Sequence, residues 1–266
     1  MNDSFFTGNV AWVTGASSGI GAALAHALAA RGASLVLSAR REDQLRAVQA
    51  ACAIADRHLV LPLDMLAPDT FEPAVQTVLS RFGHIDLMIH CAGISQRAHA
   101  ADTQLDVDRR IMEVNYFGPV ALTKRVLPSM FDRHVGQIVV VSSLLGKFGA
   151  ANRSAYSASK HALHGFFDSL RAEVASQGIT ITVVCPGFVS TNASRNALRG
   201  DGTSHDQMDE QLSRGLSSEE CARQIVRAIE RRRREVYIGG KEKLAVLLNR
   251  LAPGLFARMI SRTKLK

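Results

Sequence analysis

Cysteine is scarce in this sequence, and so are the features that mark secreted and membrane proteins. The four cysteines, Cys52, Cys91, Cys185 and Cys221, include no CxxC pair and no metal-ligand spacing, so a disulfide framework or a zinc site has no support. No run of about 18 apolar residues suggests a membrane span. The first residues lack the basic and apolar regions of a secretory signal. We therefore expect a soluble protein in a reducing cytoplasm, without a metal.

Acidic residues are nearly absent from the C-terminal end, whereas the rest of the chain is balanced. The net charge is +8, and from Arg231 onward 11 Lys/Arg face 2 Asp/Glu, a balance of +9 that leaves −1 for residues 1–230. A nucleic-acid-binding body would carry an excess of positive charge. We therefore expect no nucleic-acid partner, and we interpret the run Arg231–Arg234 as a solvated helix end.

Apolar runs alternate with helix-period segments along most of the chain, as expected for a parallel sheet covered by helices on both faces. This pattern predicts the α/β class: a single domain, 1–266, with a Rossmann-type doubly wound parallel sheet of about seven strands. The predicted strands are NVAWVT, SLVLSA, HLVLPL, IDLMIH, QIVVVS, ITITVVC and EVYIG. Helices are expected to begin near Ile20, Glu42, Pro68, Asp102, Phe117 and Ser154.

The segment 192–215 lacks a sustained apolar period and contains Gly200 and Gly202. We interpret it as an irregular excursion after the sixth strand, and such long excursions are often substrate lids. Ser217 and Glu220 have the spacing of a capping box, which predicts that the next helix begins there.

Three glycines, Gly15, Gly19 and Gly21, follow the first predicted strand directly and open a helix. Glycine permits a tight turn and a close backbone approach, while a helix N-terminus offers N–H donors to a pyrophosphate. A tight turn without any ligand is the alternative interpretation of the glycines alone.

The spacing GxxxGxG, with Thr14 ahead of it, resembles the short-chain dehydrogenase/reductase family. The resemblance implies that the turn binds a nicotinamide dinucleotide and that Asp64, in LPLDM, contacts its adenine. It also implies a narrow backbone path at Ala92 and Gly93, in CAGIS. Cys91 stands where the family has asparagine, which puts one sheet-bracing hydrogen bond in doubt. The turn residues implied to contact the cofactor are Gly15, Ser17, Ser18, Gly19, Ile20 and Gly21.

The end of the second predicted strand decides the cofactor, because NAD-binding sites place an acidic residue there to bind the ribose hydroxyls. Here Ala39 occupies that place, and Arg40 and Arg41 follow. A guanidinium suits a 2′-phosphate, and the missing carboxylate removes a repulsion. We therefore predict NADP(H). The alternative is that both arginines are solvated residues at the start of the next helix.

A tyrosine and a lysine stand four positions apart in the stretch 154–174. On a helix such residues share a face with Cβ atoms about 6 Å apart, so Tyr156 and Lys160 can address one ligand. The pKa of tyrosine is normally about 10. An ammonium about 5 Å from the phenolate supplies roughly 3 kcal/mol at an effective dielectric constant of about 20. We therefore expect Lys160 to lower the pKa of Tyr156, although YxxxK alone also occurs on solvated helix faces.

The family resemblance assigns roles to these residues and extends from Thr14 to Thr191. Ser143, which precedes Tyr156 by 13 positions, would hydrogen-bond the substrate oxygen. Tyr156 would transfer the proton, and Lys160 would also hold the nicotinamide ribose. Asn115 matches the fourth catalytic residue and would support a water path to Lys160, or would merely satisfy helix backbone groups. The resemblance also places four residues around the nicotinamide: Pro186, Gly187, Val189 and Thr191.

The sequence therefore predicts an NADP(H)-dependent enzyme that interconverts a ketone and a secondary alcohol by direct hydride transfer. A nucleotide-sensing scaffold with little turnover is the alternative function. The stretches NYFGPVALTKRVLPSM, SAYSASKHALHGFF and LAPGLF resemble one branch of the family, and this suggests a lipid-like or hydrophobic substrate. The resemblance also implies a homodimer or homotetramer.

The tail 240–266 mixes apolar residues with Lys/Arg and is interrupted by Pro253, which suits the first turn of a second short helix. The two amphipathic helices would pack over the substrate pocket, form a subunit contact or lie on anionic lipid as a peripheral membrane contact.

Two histidines in the stretch 154–174, His161 and His164, are interpreted as ordinary helix residues and not as metal ligands. Arg153, Arg195 and Arg199 can face an anionic group, but an irregular segment gives no geometry to assign them.

Overall fold

Seven parallel strands form the centre of the molecule: β1 Val10–Thr14, β2 Ser34–Ser38, β3 Leu59–Val60, β4 Leu87–His90, β5 Gly136–Val141, β6 Ile179–Pro186 and β7 Glu235–Ile238. The structure is a computed structural model that describes residues 5–262. The strands pair in the order β3-β2-β1-β4-β5-β6-β7. Every residue of β1 is buried, because helices cover both faces of a parallel sheet. The predicted doubly wound parallel sheet is confirmed.

Ten α-helices accompany the sheet in the described residues: α1 Gly19–Ala29, α2 Glu42–Ala51, α3 Phe71–Phe82, α4 Leu105–Met112, α5 Gly118–Arg133, α6 Ser154–Glu173, α7 Glu210–Ser213, α8 Ser218–Glu230, α9 Leu244–Leu251 and α10 Pro253–Arg262. Leu24 of α1 and Ile225 of α8 lie in one apolar core with Val13. On the other face, Phe167 of α6 lies with Trp12 in a second core, to which α3 and α5 also contribute. The sheet and its two cores make one domain.

The strand order places a crevice beside β1. The chain moves outward from β1 through β2 to β3 and then returns to the other side of β1 at β4. The loops after β1 and β4 therefore diverge at the carboxyl edge of the sheet, and this is where open α/β sheets bind ligands.

Several predicted bounds are corrected by the structure. The predicted strand HLVLPL is a strand only at Leu59–Val60. The helix expected near Asp102 begins at Leu105, after a 3₁₀ turn at Ala100–Asp102. The second helix, expected near Phe117, continues from α4 through a π-helical turn at Glu113–Phe117. The spacing of apolar residues shows where a helix lies, but it does not reveal the extra residue that a π-helical turn contains.

The helix α8 begins where its cap was predicted, but with half of the capping box. Ser217 Oγ accepts a hydrogen bond from Glu220 N at 3.1 Å. The Glu220 carboxylate accepts a hydrogen bond from Gln224 Nε2 at 2.7 Å, so it faces along the helix. One of the two expected cap interactions is thus formed.

The two C-terminal excursions lie at the crevice. The segment 192–215 is mostly turns and isolated bridges, as predicted, with α7 as its one regular helix. The tail forms the two short helices α9 and α10, and the second begins at Pro253; residues 263–266 of the predicted tail lie outside the described residues. Within 5–262, no helix combines the length and the apolar character needed to cross a membrane.

Candidate active site

The loop between β1 and α1 requires glycine at two positions for different reasons. Gly15 has a φ of +68°, and a Cβ there would lie 2.8 Å from the backbone of Ala92. A Cβ on Gly21 would lie 2.2 Å from the carbonyl oxygen of Gly15. The loop therefore closes tightly against its own helix and against the loop after β4. This contact leaves the N-terminus of α1 facing the crevice, where N–H groups favour an anion.

Thr14 joins the ends of β1 and β4 through its hydroxyl. Thr14 Oγ1 accepts hydrogen bonds from Cys91 N at 3.2 Å and from Ala92 N at 3.3 Å, and it donates to Ile89 O at 3.3 Å. The main chain at Cys91 is thus braced without an asparagine side chain. Burial raises the pKa of the Cys91 thiol to about 12, so this cysteine is neutral at physiological pH.

The residues after β2 leave the adenosine end of the crevice without an acid. Ala39 is half-buried, while Arg40 and Arg41 are exposed, and all three line the crevice. In the described residues neither arginine forms an ion pair. Asp64 lines the same crevice, with its carboxylate accepting a hydrogen bond from Leu66 N at 3.1 Å.

Ser143 and Tyr156 come from different elements and meet in the crevice. Ser143 follows β5 and caps a 3₁₀ turn by accepting a hydrogen bond from Leu145 N at 3.1 Å. Tyr156 is in the first turn of α6. Burial raises the pKa of the Tyr156 hydroxyl, while hydrogen bonding by Ser143 and the positive charges of Arg97 and Arg153 act to lower it.

Lys160 follows one turn later on α6, as the spacing predicted. Its Nζ lies 5.6 Å from the centre of the Tyr156 ring and donates a hydrogen bond to Val141 O at 2.9 Å. Burial lowers the pKa of Lys160 to about 8. The expectation that Lys160 lowers the pKa of Tyr156 does not hold for the protein groups alone, because the desolvation of the phenolate outweighs the opposing charges and Lys160 is itself easily neutralised.

Asn115 lies in the π-helical turn and is buried, and it is the only predicted site residue that does not line the crevice. Its Oδ1 accepts a hydrogen bond from Ile94 N at 2.8 Å. Its Nδ2 donates to Ile94 O and to Ser159 Oγ, both at 2.9 Å. Asn115 therefore braces the loop after β4 against α6, which fits the backbone-satisfying interpretation. A Cβ on Gly93 would lie 3.2 Å from Asn115 Oδ1, a tight contact, and 3.5 Å from Lys160 Nζ, an ordinary van der Waals distance, so the position of Asn115 favours a glycine there.

All the other predicted site residues line one cleft with a volume of about 860 Å³. The loop after β6 closes its central part, since a Cβ on Gly19 would lie 3.1 Å from Thr191 Cγ2. The structure thus brings the glycine turn and the Ser143–Tyr156–Lys160 group together across the sheet edge. The other lining residues from the prediction are Ser17, Ser18, Ile20, Arg40, Arg41, Asp64, Ala92, Gly93, Pro186, Gly187 and Val189.

A buried charge cluster at the substrate end was not predicted. Asp209 Oδ2 lies 2.7 Å from Arg97 Nη2 and 3.1 Å from Arg153 Nη2, and all three side chains are less than a tenth exposed. They come from the loop after β4, the start of α6 and the segment 192–215. Burial, and then the like charge of Arg97, lower the pKa of Arg153 to about 10. Nothing in the spacing of these residues indicates that they meet.

A second cluster lies behind the cleft, between α6 and the last strands. The side chains of His164, Cys185 and Glu235 lie within 4.8 Å of one another. Burial lowers the pKa of His164 to about 4, so its imidazole is neutral, and Lys147 Nζ pairs with the Glu235 carboxylate at 2.7 Å. None of these four residues lines the cleft. The sequence did not predict the cluster, because its members are far apart in the chain.

The tail helices complete the wall of the cleft. Phe256 of α10 is buried and meets Phe148 edge to face, with ring centres 4.9 Å apart. Asn249 Nδ2 of α9 donates a hydrogen bond to Lys147 O at 3.1 Å. Glu242, Ala245, Phe256, Met259 and Ile260 line the cleft. Of the three roles left open for the tail, packing over the pocket is therefore present.

Known proteins resemble this chain in sequence and in fold. The family described as short chain dehydrogenase matches residues 9–201. A dehydrogenase/reductase SDR family protein 7-like of Anopheles gambiae is 45% identical over 262 residues, which cover 96% of this chain and 83% of that protein. Dehydrogenase/reductase SDR family member 7B of Bos taurus is 42% identical over 257 residues, which cover 94% and 79%.

Solved structures agree. A short-chain dehydrogenase from Streptomyces avermitilis matches with a TM-score of 0.80 and 30% identity, over 95% of this chain and 96% of that chain. A short chain dehydrogenase/reductase from Burkholderia phymatum, in complex with NAD, matches with a TM-score of 0.83 over 94% and 95%, and at 22% identity it supports the fold alone. The chain belongs to the short-chain dehydrogenase/reductase family, and it is an oxidoreductase that acts on a CH–OH or C=O group with a nicotinamide dinucleotide.

Proposed function

We propose that the protein is an NADP(H)-dependent reductase that interconverts a hydrophobic ketone and a secondary alcohol, with Tyr156 as the acid and base. The observation that carries this proposal is the meeting of Ser143, Tyr156 and Lys160 in the same cleft as the glycine turn. The turn fits a dinucleotide, because a Cβ at Gly15 or Gly21 would collide with backbone. Such a close-approach turn at a helix N-terminus suits a pyrophosphate.

The protein groups supply the proton and hold the reacting oxygen. When bound, the nicotinamide supplies or accepts the hydride. Ser143 Oγ donates a hydrogen bond to the substrate oxygen. Because burial raises the pKa of Tyr156, its hydroxyl keeps its proton at neutral pH and can donate it to that oxygen. The positive charges of Arg97, Arg153 and Lys160 then stabilise the phenolate that forms.

Preference for NADP(H) rests on the residues after β2. Arg40 and Arg41 are exposed at the edge of the cleft, and Ala39 brings no carboxylate to repel a 2′-phosphate. We expect kcat/KM to be at least about tenfold higher with NADPH than with NADH, since one charge-assisted contact contributes roughly 1.5 kcal/mol or more.

The cofactor assignment is tested by comparing Arg40→Ala/Arg41→Ala with Arg46→Ala, each with NADPH and NADH. Arg46 is exposed on α2, pairs with Glu42 and does not line the cleft. The double variant should lose efficiency with NADPH only, and Arg46→Ala should behave as wild type. A wild-type preference for NADH would refute the assignment.

A hydrophobic substrate is supported by the walls beside Tyr156. Apolar residues from four parts of the chain line this end of the cleft: Leu144, Leu145, Phe148, Phe188, Leu212, Phe256 and Ile260. Burial of apolar surface contributes about 25 cal/mol per Å², so a substrate with an apolar chain gains affinity here. A panel of ketones that differ in their apolar chains would measure which chain the enzyme prefers.

The reaction is tested by following NADPH absorbance with a panel of ketones, for wild type, Tyr156→Phe and Tyr116→Phe. Tyr116 lies in the π-helical turn and does not line the cleft. Tyr156→Phe should lower kcat by about 10³-fold, the usual contribution of a general acid, while NADPH affinity changes little. Tyr116→Phe should retain turnover. NADPH binding without turnover of any ketone would favour the nucleotide-sensing scaffold instead.

The same proposal places the enzyme in the cytoplasm as a homodimer or homotetramer, without nucleic acid. Its four cysteines are free thiols, which suits a reducing compartment. A partly apolar groove between α5 and α6 supports a subunit contact there, and its apolar walls include Leu127, Phe131, Phe166 and Leu170. Light scattering of the purified chain measures the subunit number.

A further inference from the structure

The tail helices α9 and α10 have two apolar faces, and only one of them is covered by the protein. The inner face holds Phe256, which is buried, and Ala245 and Ile260, which line the cleft. On the opposite side four leucines, Leu244, Leu247, Leu251 and Leu255, are 65%, 54%, 74% and 59% exposed. We call these four the outer stripe.

The outer stripe is continuous along α9. At 3.6 residues per turn, Leu244, Leu247 and Leu251 fall within about 60° of the helix circumference. A helix packed only on its own domain would present polar residues there. Five of the eleven large exposed apolar residues in the described part of the chain lie on these two helices, and four of the five form the outer stripe; such a concentration marks an interaction surface.

Cations border the stripe. Residues 241–262 contain five Lys/Arg and one acid, Glu242, and that acid is engaged by the backbone of Gly240 at 2.9 Å. Arg250, Arg258 and Arg262 are exposed. A two-fold contact through the stripe would bring two such cationic patches together, whereas an anionic surface would neutralise them.

We propose that the outer stripe and its cations bind an anionic lipid bilayer, with the leucines at the acyl boundary and the arginines at the headgroups. Apolar insertion combined with anionic attraction is how interfacial helices bind membranes. The same two helices form the wall of the cleft, so one helix layer separates the bilayer from the substrate end. An apolar ketone dissolved in the membrane therefore has a short path to Tyr156, a consequence that rests on the proposed function.

Sedimentation of the full chain with vesicles tests the binding. The vesicles are phosphatidylcholine with and without phosphatidylserine, at low and high salt. Wild type should bind the anionic vesicles, and high salt should weaken the binding. Leu247→Ser/Leu251→Ser and Arg250→Glu/Arg258→Glu should each bind at least about tenfold more weakly. Leu105→Ser is the matched control, since Leu105 is 59% exposed on α4, and it should bind as wild type.

Two results would overturn the proposal. One is wild-type binding that is absent or is insensitive to phosphatidylserine. The other is a fall in subunit number by light scattering in the leucine variant with vesicle binding unchanged, which would make the stripe a subunit contact. The delivery consequence has its own readout: the leucine variant should keep wild-type kcat/KM for a water-soluble ketone and lose it for one dissolved in vesicles. Failure of wild type to reduce any ketone would refute the proposed function and leave the vesicle result standing.

Discussion

The two ends of the cleft are formed by different parts of the residues. The nucleotide end is mostly backbone: a turn with glycines at Gly15 and Gly21, braced by one hydroxyl, Thr14, within a few residues of β1. The substrate end is mostly side chains, and its charge cluster unites residues as distant in sequence as Arg97 and Asp209. Local constraints therefore shape one end, and long-range contacts shape the other. Substitutions at the substrate end should therefore lower stability and raise substrate KM, whereas substitutions at the nucleotide end should weaken cofactor binding.

The largest effect is expected from Asp209→Asn at the substrate end. Removing this carboxylate leaves Arg97 and Arg153 buried without a counter-charge, and breaking a buried ion pair costs about 3–5 kcal/mol. The free energy of unfolding from urea denaturation should fall by this amount, and substrate KM should rise while NADPH affinity changes little. Glu210→Gln is the control, because the ion pair of Glu210 with Arg214 is exposed and such pairs contribute at most about 1 kcal/mol. Equal stability of the two variants would contradict the claim that the buried charge cluster at the substrate end stabilises the fold.

A somewhat smaller effect is expected at the nucleotide end from Gly21→Ala. The new Cβ would lie 2.2 Å from Gly15 O, so the turn must move. Overpacking of this kind costs about 2–3 kcal/mol, or roughly 30- to 150-fold in NADPH affinity. Gly165→Ala, in α6, has no atom within 4 Å of its new Cβ and should instead stabilise the protein by about 0.5–1 kcal/mol. Titration of NADPH by fluorescence measures the affinity, and an unchanged value for Gly21→Ala would count against the close-approach argument.

The smallest expected effect is a pH dependence of turnover that arises at Lys160. Because burial lowers the pKa of Lys160 from 10.5 to about 8, its ammonium is lost above pH 8, and reductive kcat/KM should fall about tenfold per pH unit there. NADPH affinity, which rests largely on backbone groups, should change less. A kcat/KM that stays level up to pH 10 would contradict this assignment.

The stability contribution of Lys160 has the opposite sign. Between pH 8 and pH 10.5 the unfolded chain holds this proton and the native state does not, so the contribution to the free energy of unfolding rises with pH. The difference between wild type and Lys160→Met, measured by urea denaturation across this range, isolates it. Activity that falls while this contribution rises would be the signature of a buried, easily neutralised lysine.

Most of the nucleotide end could be predicted from sequence, because its residues are close together and each has a local reason. Gly15 and Gly21 are required by contacts within one turn and its neighbouring loop, and the α6 spacing brings Tyr156 and Lys160 to one face. The role of Asn115 was left between two interpretations, since only the structure shows its bonds to Ile94 and Ser159. The predicted lowering of the Tyr156 pKa by Lys160 does not hold for the protein groups alone, because spacing gives a distance to a charge but not the desolvation of the phenolate.

The sequence by itself determined the seven-stranded α/β architecture, the glycine turn and the placement of Tyr156 and Lys160 on one helix face, because apolar period, glycine and helical spacing act over a few residues. The tertiary structure alone decided the buried cluster of Arg97, Arg153 and Asp209 and the double role of the tail helices, which face the cleft on one side and solvent on the other. Those features depend on which segments the crossovers bring to the same edge of the sheet. Burial, which sets the charge of Tyr156 and Lys160, is likewise a property of the packed chain and not of any short stretch of it.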